Sequence, residues 1–180
     1  ELRADEITVA IQGLGAVGIS LAKRFLELGA NVIGADIDPV KAERAKQYQI
    51  SIVAPRQILS SDCDVLIPCA MGGTVHDVSI PGIKASIVAG VANNTLGHES
   101  QAVQLRENGI TFLPDFALNA GALIEGSHHF HTGENSCPQK IACIADTVAE
   151  ILALSDGNNC STTEAAFALA AERIVEPKHR

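Results

Sequence analysis

The chain has 180 residues, which suits about one domain. Hydrophobic residues make up 47% and charged residues 19%, which excludes disordered, collagenous and low-complexity architectures. The net charge of −8 excludes a nucleic-acid or anionic-membrane surface, because both need clustered Lys and Arg. Aromatics are only 3%, with no Trp, so the core must be built from Ala, Val, Ile and Leu. The chain starts at Glu1 and its only methionine is Met71, so a piece of a longer polypeptide is expected. Cys63, Cys69, Cys137, Cys143 and Cys160 are odd in number and lack C-x-x-C spacing. They read as reduced thiols of a cytoplasmic protein, not as a disulfide framework or zinc site. No signal peptide and no membrane-length apolar run is found.

In chain order, residues 7–12 form a β-branched, mostly apolar run, which predicts a strand covered on both faces. A glycine-rich turn follows, then a helix over 16–28 stopped by Gly29. Residues 31–35 read as the second strand. Asp38-Pro39 supplies an N-cap and a first-turn proline for a helix reaching about Gln47. A short strand over 50–53, a helical turn over 55–59 and strands over 64–68 and 86–91 come next. A helix over 98–108 and a last strand over 110–113 complete the alternation. This pattern predicts an α/β fold, a doubly wound and mainly parallel sheet of Rossmann type. Residues 1–120 would form that core and 121–180 a helical tail, with helices over about 139–154 and from a capping box, Ser161 to Glu164, to near Val175.

Gly13-Leu14-Gly15-Ala16-Val17-Gly18 has the required context of strand before and helix after, with Asp36 about 20 residues on at the end of a second strand. Gly13 permits the turn, Gly15 lets a pyrophosphate approach the backbone, and Gly18 lets helix and strand pack closely. The helix N-terminus offers unpaired N–H groups to phosphate. Asp36 can accept both hydroxyls of an adenosine ribose and would repel a 2′-phosphate, which favours NAD over NADP. The remaining strand ends carry Cys69-Ala70, Asn93-Asn94 and Asn119, so small residues and amides converge on one edge. Asn93 and Asn119 offer donor and acceptor to a ribose or carboxamide.

The order and spacing of Gly13–Gly18, Ala35-Asp36-Ile37-Asp38, Asp62–Ala70, Ala92–Leu96, Pro114–Gly121 and Ala170–Ile174 resemble the cofactor-binding domain of the Glu/Leu/Phe/Val dehydrogenase family, its leucine and valine branch above all. The resemblance implies NAD as cofactor and reversible oxidative deamination of an L-amino acid to a 2-oxo acid and ammonia. By it Gly13, Gly15 and Gly18, with Val17, hold the diphosphate, and Asp36, with Ile37, the adenine ribose. Cys69 and Ala70 lie along the adenosine side, and Asn93 and Asn119 near the nicotinamide ribose and carboxamide. Asn94 and Leu123 face the substrate. A homo-oligomer is implied for the whole protein.

Two features depart from the family pattern. Ala122 stands where the family has a second glycine after Asn119-Ala120-Gly121, which is expected to tighten a turn near the nicotinamide. His128, His129 and His131 form a stretch foreign to the family. With no acid or Cys at ligand spacing, they read as surface histidines and no metal site is expected.

Deamination also needs a cleft lysine and an acid for proton transfer, which in the family come from a separate N-terminal substrate domain. The loops after the first, second, fourth, fifth and sixth strands carry no Lys or Arg. Lys23, Lys41 and Lys46 are expected on helices well past the cofactor-facing turns, and Lys84 at the opposite sheet edge. The chain is therefore expected to lack that substrate domain, to bind NAD and to have no catalytic residue of its own. The alternative is a stand-alone, non-catalytic NAD-binding or regulatory module.

Overall fold

A computed structural model describes residues 3–175. Six strands form one sheet: β1 (Thr8–Gln12), β2 (Asn31–Ala35), β3 (Ser51–Ile52), β4 (Val65–Pro68), β5 (Ile87–Val88) and β6 (Thr111–Phe112). Every pairing is parallel, and the order is β3-β2-β1-β4-β5-β6. The chain winds outward from β1 to β3, then crosses back to β4 and winds the other way. The direction reverses between β1 and β4, and crevices at such reversals are where ligands bind on these sheets.

Helices α1 (Ala16–Glu27) and α2 (Pro39–Lys46) connect the first three strands, and α3 (Gln101–Glu107) connects β5 to β6. Side chains alternate across the strands, so β1 feeds two cores. Val9 and Ile11 join Val32, Ile67, Ala22 and Ala45 beneath α1 and α2. Ala10 faces the other way and joins Leu66, Val88, Phe112, Ala102 and Leu105 beneath α3. Burial on both faces explains why these strands read as continuous apolar runs.

Local signals in the sequence are realised as expected. The Asp38 carboxylate accepts the Val40 N–H at 2.9 Å and caps α2. Gly29 takes φ 92° directly after α1. Two 3-10 turns, at Ile58–Ser60 and Ile80–Gly82, stand in for crossover helices.

The tail is helical, but it begins earlier than residue 121. Four residues, Asp115–Leu118, already form α4, because Pro114 sets the backbone for a helical start and removes a ladder donor. Helices α5 (Gly121–Thr132), α6 (Pro138–Asn158) and α7 (Thr162–Val175) follow. Ile151, Ala165, Ala166 and Leu169 form a third, smaller core against Ala117 of α4. The predicted capping box forms: Glu164 accepts the Ser161 N–H at 2.8 Å and hydroxyl at 2.7 Å, and the Glu164 N–H returns to Ser161 Oγ at 3.2 Å. The Thr162 hydroxyl donates to the Phe112 carbonyl at 2.6 Å, fastening α7 to the outer strand β6. Among the described residues no helix is long and apolar enough to cross a membrane.

Candidate functional site

The turn after β1 is stitched to both neighbouring strands. Gly13 N–H donates to the Ala35 carbonyl and Cys69 N–H to the Gln12 carbonyl, each at 2.7 Å. The three glycines of the turn have different physical reasons. Gly13 has φ 96°, and a Cβ there would lie 2.8 Å from that of Ala70. A Cβ on Gly18 would lie 1.9 Å from the Gly13 carbonyl oxygen, so α1 packs against the turn only with glycine here. At Gly15 a Cβ would meet no protein atom within 4 Å. Internal packing thus accounts for Gly13 and Gly18 and leaves Gly15 unexplained. Gly15 is the N-cap of α1 and offers no side-chain cap, so the helix N-terminus opens outward. Val17, in its first turn, is 56% exposed.

Asp36 lies at the carboxyl end of β2, beside this turn. One of its oxygens accepts the Leu14 N–H and the other the Asp38 N–H, each at 2.8 Å. The carboxylate therefore locks the glycine turn to β2, a structural task that sequence reading missed. Each oxygen keeps a further lone pair for an external hydroxyl. Ile37 beside it is 86% exposed.

Lys41 and Arg44 of α2 line a cleft of about 260 Å³ with Gly15, Ala16, Ile19 and Tyr48. Lys41 therefore does not fall well past the glycine turn, as its sequence position suggests. Because β1 and β2 are parallel, α1 and α2 both start at the carboxyl edge of the sheet, which puts α2 beside the start of α1. Lys23 is placed over the ring of Tyr48, a residue that lines the same cleft, at 3.9 Å.

Across the reversal point, Cys69 and Ala70 leave β4 against the glycine turn. Burial pushes the Cys69 thiol up to about 12, so it is a neutral packing group. Burial first, then the nearby Asp64 charge, lifts Cys63 to about 11. After β5, Asn93 and Asn94 form a turn in which Asn94 takes φ 53°. Asn119 donates from Nδ2 to Asn93 Oδ1 at 2.7 Å, so the two amides meet beyond the ends of the neighbouring strands β5 and β6 although 26 positions separate them. Their pairing leaves the Asn93 amide donors and the Asn119 oxygen without a partner in this contact. Asp115 accepts the Asn94 N–H at 2.9 Å, a residue absent from the predicted binding set. In the sequence it stands out only as an ionisable group of the loop after the sixth strand, within the Pro114–Gly121 motif.

Leu123 is 76% exposed in the first turn of α5, three residues beyond the Asn119 cap region. Ala122 lies in regular helix and is exposed, so it tightens no turn; the chain enters α5 through Asn119 and Ala120 with negative φ. The histidine stretch also differs from expectation. The His128 side chain is only 10% exposed, and its Nε2 lies 3.0 Å from Glu134. Its Nδ1 lies 3.0 Å from Lys140 Nζ, so an acid does reach it, and Lys140 is held away from the strand ends. Among the described residues no three His, Cys, Asp or Glu side chains gather around a common point.

This architecture recurs in solved proteins. L-tryptophan dehydrogenase from Nostoc punctiforme superposes with a TM-score of 0.94 at 36% identity, over 99% of this chain and 54% of that one. Its curated sequence is 37% identical over 98% of this chain and 51% of the relative. Leucine dehydrogenase from Bacillus cereus is 35% identical over 95% of this chain and 47% of the relative. Phenylalanine dehydrogenase from Caldalkalibacillus thermarum is 36% identical over 94% of this chain and 48% of the relative. The chain spans about half the length of the curated relatives it matches. The family described as Glutamate/Leucine/Phenylalanine/Valine dehydrogenase matches residues 35–179. With its parallel sheet, glycine turn and strand-end amides in place, the chain belongs to that family.

Proposed function

We propose that this chain is the NAD-binding half of an amino-acid dehydrogenase that interconverts an L-amino acid with its 2-oxo acid and ammonia. The observation that carries the reading is Gly15. Its missing side chain has no internal cause, and it sits at an open helix N-terminus where a diphosphate needs close backbone approach. Gly13, Gly15, Val17 and Gly18 would hold the diphosphate. Asp36 and Ile37 would hold the adenosine ribose, and its carboxylate favours NAD over a 2′-phosphorylated cofactor. Cys69 and Ala70 would wall the cleft between the two halves. Asn93 and Asn119 would hold the nicotinamide ribose and carboxamide through their unpaired amide atoms. The orphaned Gln12 Oε1 and Thr74 Oγ1, both buried without a partner, lie on segments at this same edge. When bound, NAD supplies the hydride acceptor.

Asn94 and Leu123 would face the substrate, and the exposed apolar Leu123 suits an aliphatic or aromatic side chain better than a carboxylate. The catalytic lysine and acid would come from a substrate-binding half outside this chain. The whole protein would work in the cytoplasm as a homo-oligomer.

Calorimetric titration tests this. The chain should bind NADH saturably and NADPH more weakly, and should oxidise no member of a panel of L-amino acids. Absence of NADH binding at millimolar concentration would overturn the cofactor reading. Measured turnover would overturn the division of labour between the two halves.

A further inference from the structure

We infer that Asp115 is a positioning residue for the nicotinamide half of the cofactor site, acting through the backbone of Asn94. This rests on the NAD-binding reading above. Asn94 stands in the left-handed region at φ 53°, which costs energy for a residue with a side chain, although Asn tolerates it better than most. Something must hold it there, and two contacts do. The Asp115 carboxylate accepts its N–H at 2.9 Å, and its carbonyl accepts the Gly73 N–H at 2.7 Å. The first contact joins β5's loop to α4, and the second joins it to β4's loop. The turn is thereby pinned from the segments that follow both neighbouring strands.

The consequence falls on Asn93, the preceding residue. Its Oδ1 is the acceptor for Asn119 Nδ2, and Asn119 is the residue directly after α4. Asp115 and Asn119 thus sit one helical turn apart, with the Asn119 N–H bonded to the Asp115 carbonyl at 2.8 Å. They grip adjacent residues of the same loop. The Asp115 contact fixes the backbone, and the amide pair fixes the side chain. Since β4, β5 and β6 lie on the opposite side of the reversal point from Asp36, this clamp serves the nicotinamide end and leaves the adenosine end alone.

The test uses two ligands on the 180-residue chain: NADH, and ADP, which lacks both the nicotinamide ring and its ribose. D115A should weaken NADH by about tenfold, the loss of one charge-assisted hydrogen bond, and leave ADP unchanged. D115N keeps the shape and one acceptor oxygen, so it should weaken NADH by only about threefold. It carries the test if D115A melts. Adding N94G to D115A should restore NADH binding, because glycine adopts positive φ without help. A merely structural role would instead lower both ligands together with the melting temperature. Unchanged NADH affinity in D115A and D115N, equal loss of ADP affinity, or no rescue by N94G would overturn the inference. Wild-type chain that binds neither ligand would overturn the NAD reading and this inference with it. Wild-type binding with unselective variants would overturn the inference alone.

Discussion

At Gly15 and Gly18 the same substitution should have opposite consequences. Alanine at Gly18 drives a Cβ to 1.9 Å from the Gly13 carbonyl, and a backbone atom cannot swing aside as a flexible side chain can. G18A should therefore lower the melting temperature sharply, by several degrees or more. Alanine at Gly15 meets open space, so G15A should cost only about 1 kcal/mol, the loss of glycine at an N-cap. Its methyl group would occupy the place proposed for the diphosphate, so NADH affinity should fall at least tenfold. Thermal melting and calorimetry on the two variants check this together. A G15A chain that binds NADH normally would remove the main support for the cofactor reading. Asp36 shows why single roles mislead at this scale. Its two oxygens already bind Leu14 and Asp38 N–H groups, so a variant there would disturb the glycine turn as well as any ribose contact.

The N-terminus of α7 illustrates how an element is set by a few polar atoms. Glu164 accepts both the hydroxyl and the N–H of Ser161, and these bonds hold its carboxyl below the usual value of 4.5. A carboxyl depressed on folding adds stability above its unfolded value, and that stability is lost as pH falls through the folded value. The contribution is thus present at neutral pH and disappears on the acid side. E164Q should flatten the acid limb of a stability-against-pH curve, measured by denaturant unfolding at several pH values. S161A should cost about 1 kcal/mol at neutral pH, the usual loss for an N-cap. An acid limb identical in E164Q and wild type would show that the box contributes nothing to α7. Thr162 makes the box matter beyond its own helix, since it fastens this terminus to β6.

For the whole molecule, burial is uneven. The central strands β1, β2 and β4 lie between two cores, and Val9, Ala10, Ile11 and Leu66 are fully buried. Helix α5 has no buried residue, and Leu123 and Phe130 are 76% and 83% exposed. Local opening follows burial and contact density. Hydrogen exchange should therefore find β1 and β4 amides most protected and α5 amides exchanging first by orders of magnitude. Equal protection in α5 and β1 would contradict this.

Much of the fold was legible because its signals are local. The apolar run at 7–12, the Asp38 cap, the Gly29 stop and the Ser161–Glu164 box each work within one element, and each formed. Alternation of strand and helix, with burial on both faces, then implied the parallel sheet. The glycine turn and Asp36 were equally readable, because their spacing is itself a chain property. Contacts between distant segments were not readable. Nothing in the spacing of Asn93 and Asn119 says that their amides meet, or that Asp115 holds the Asn94 turn. Nor does sequence position bring Lys41 beside Gly15, or bury His128 between Glu134 and Lys140. These depend on how strands and helices are placed in space, through many weak contacts summed over the whole chain. The sequence alone thus determined the elements, the sheet type and the glycine turn. Only tertiary structure decided which polar groups across the cleft are already engaged with one another and which remain free for a ligand.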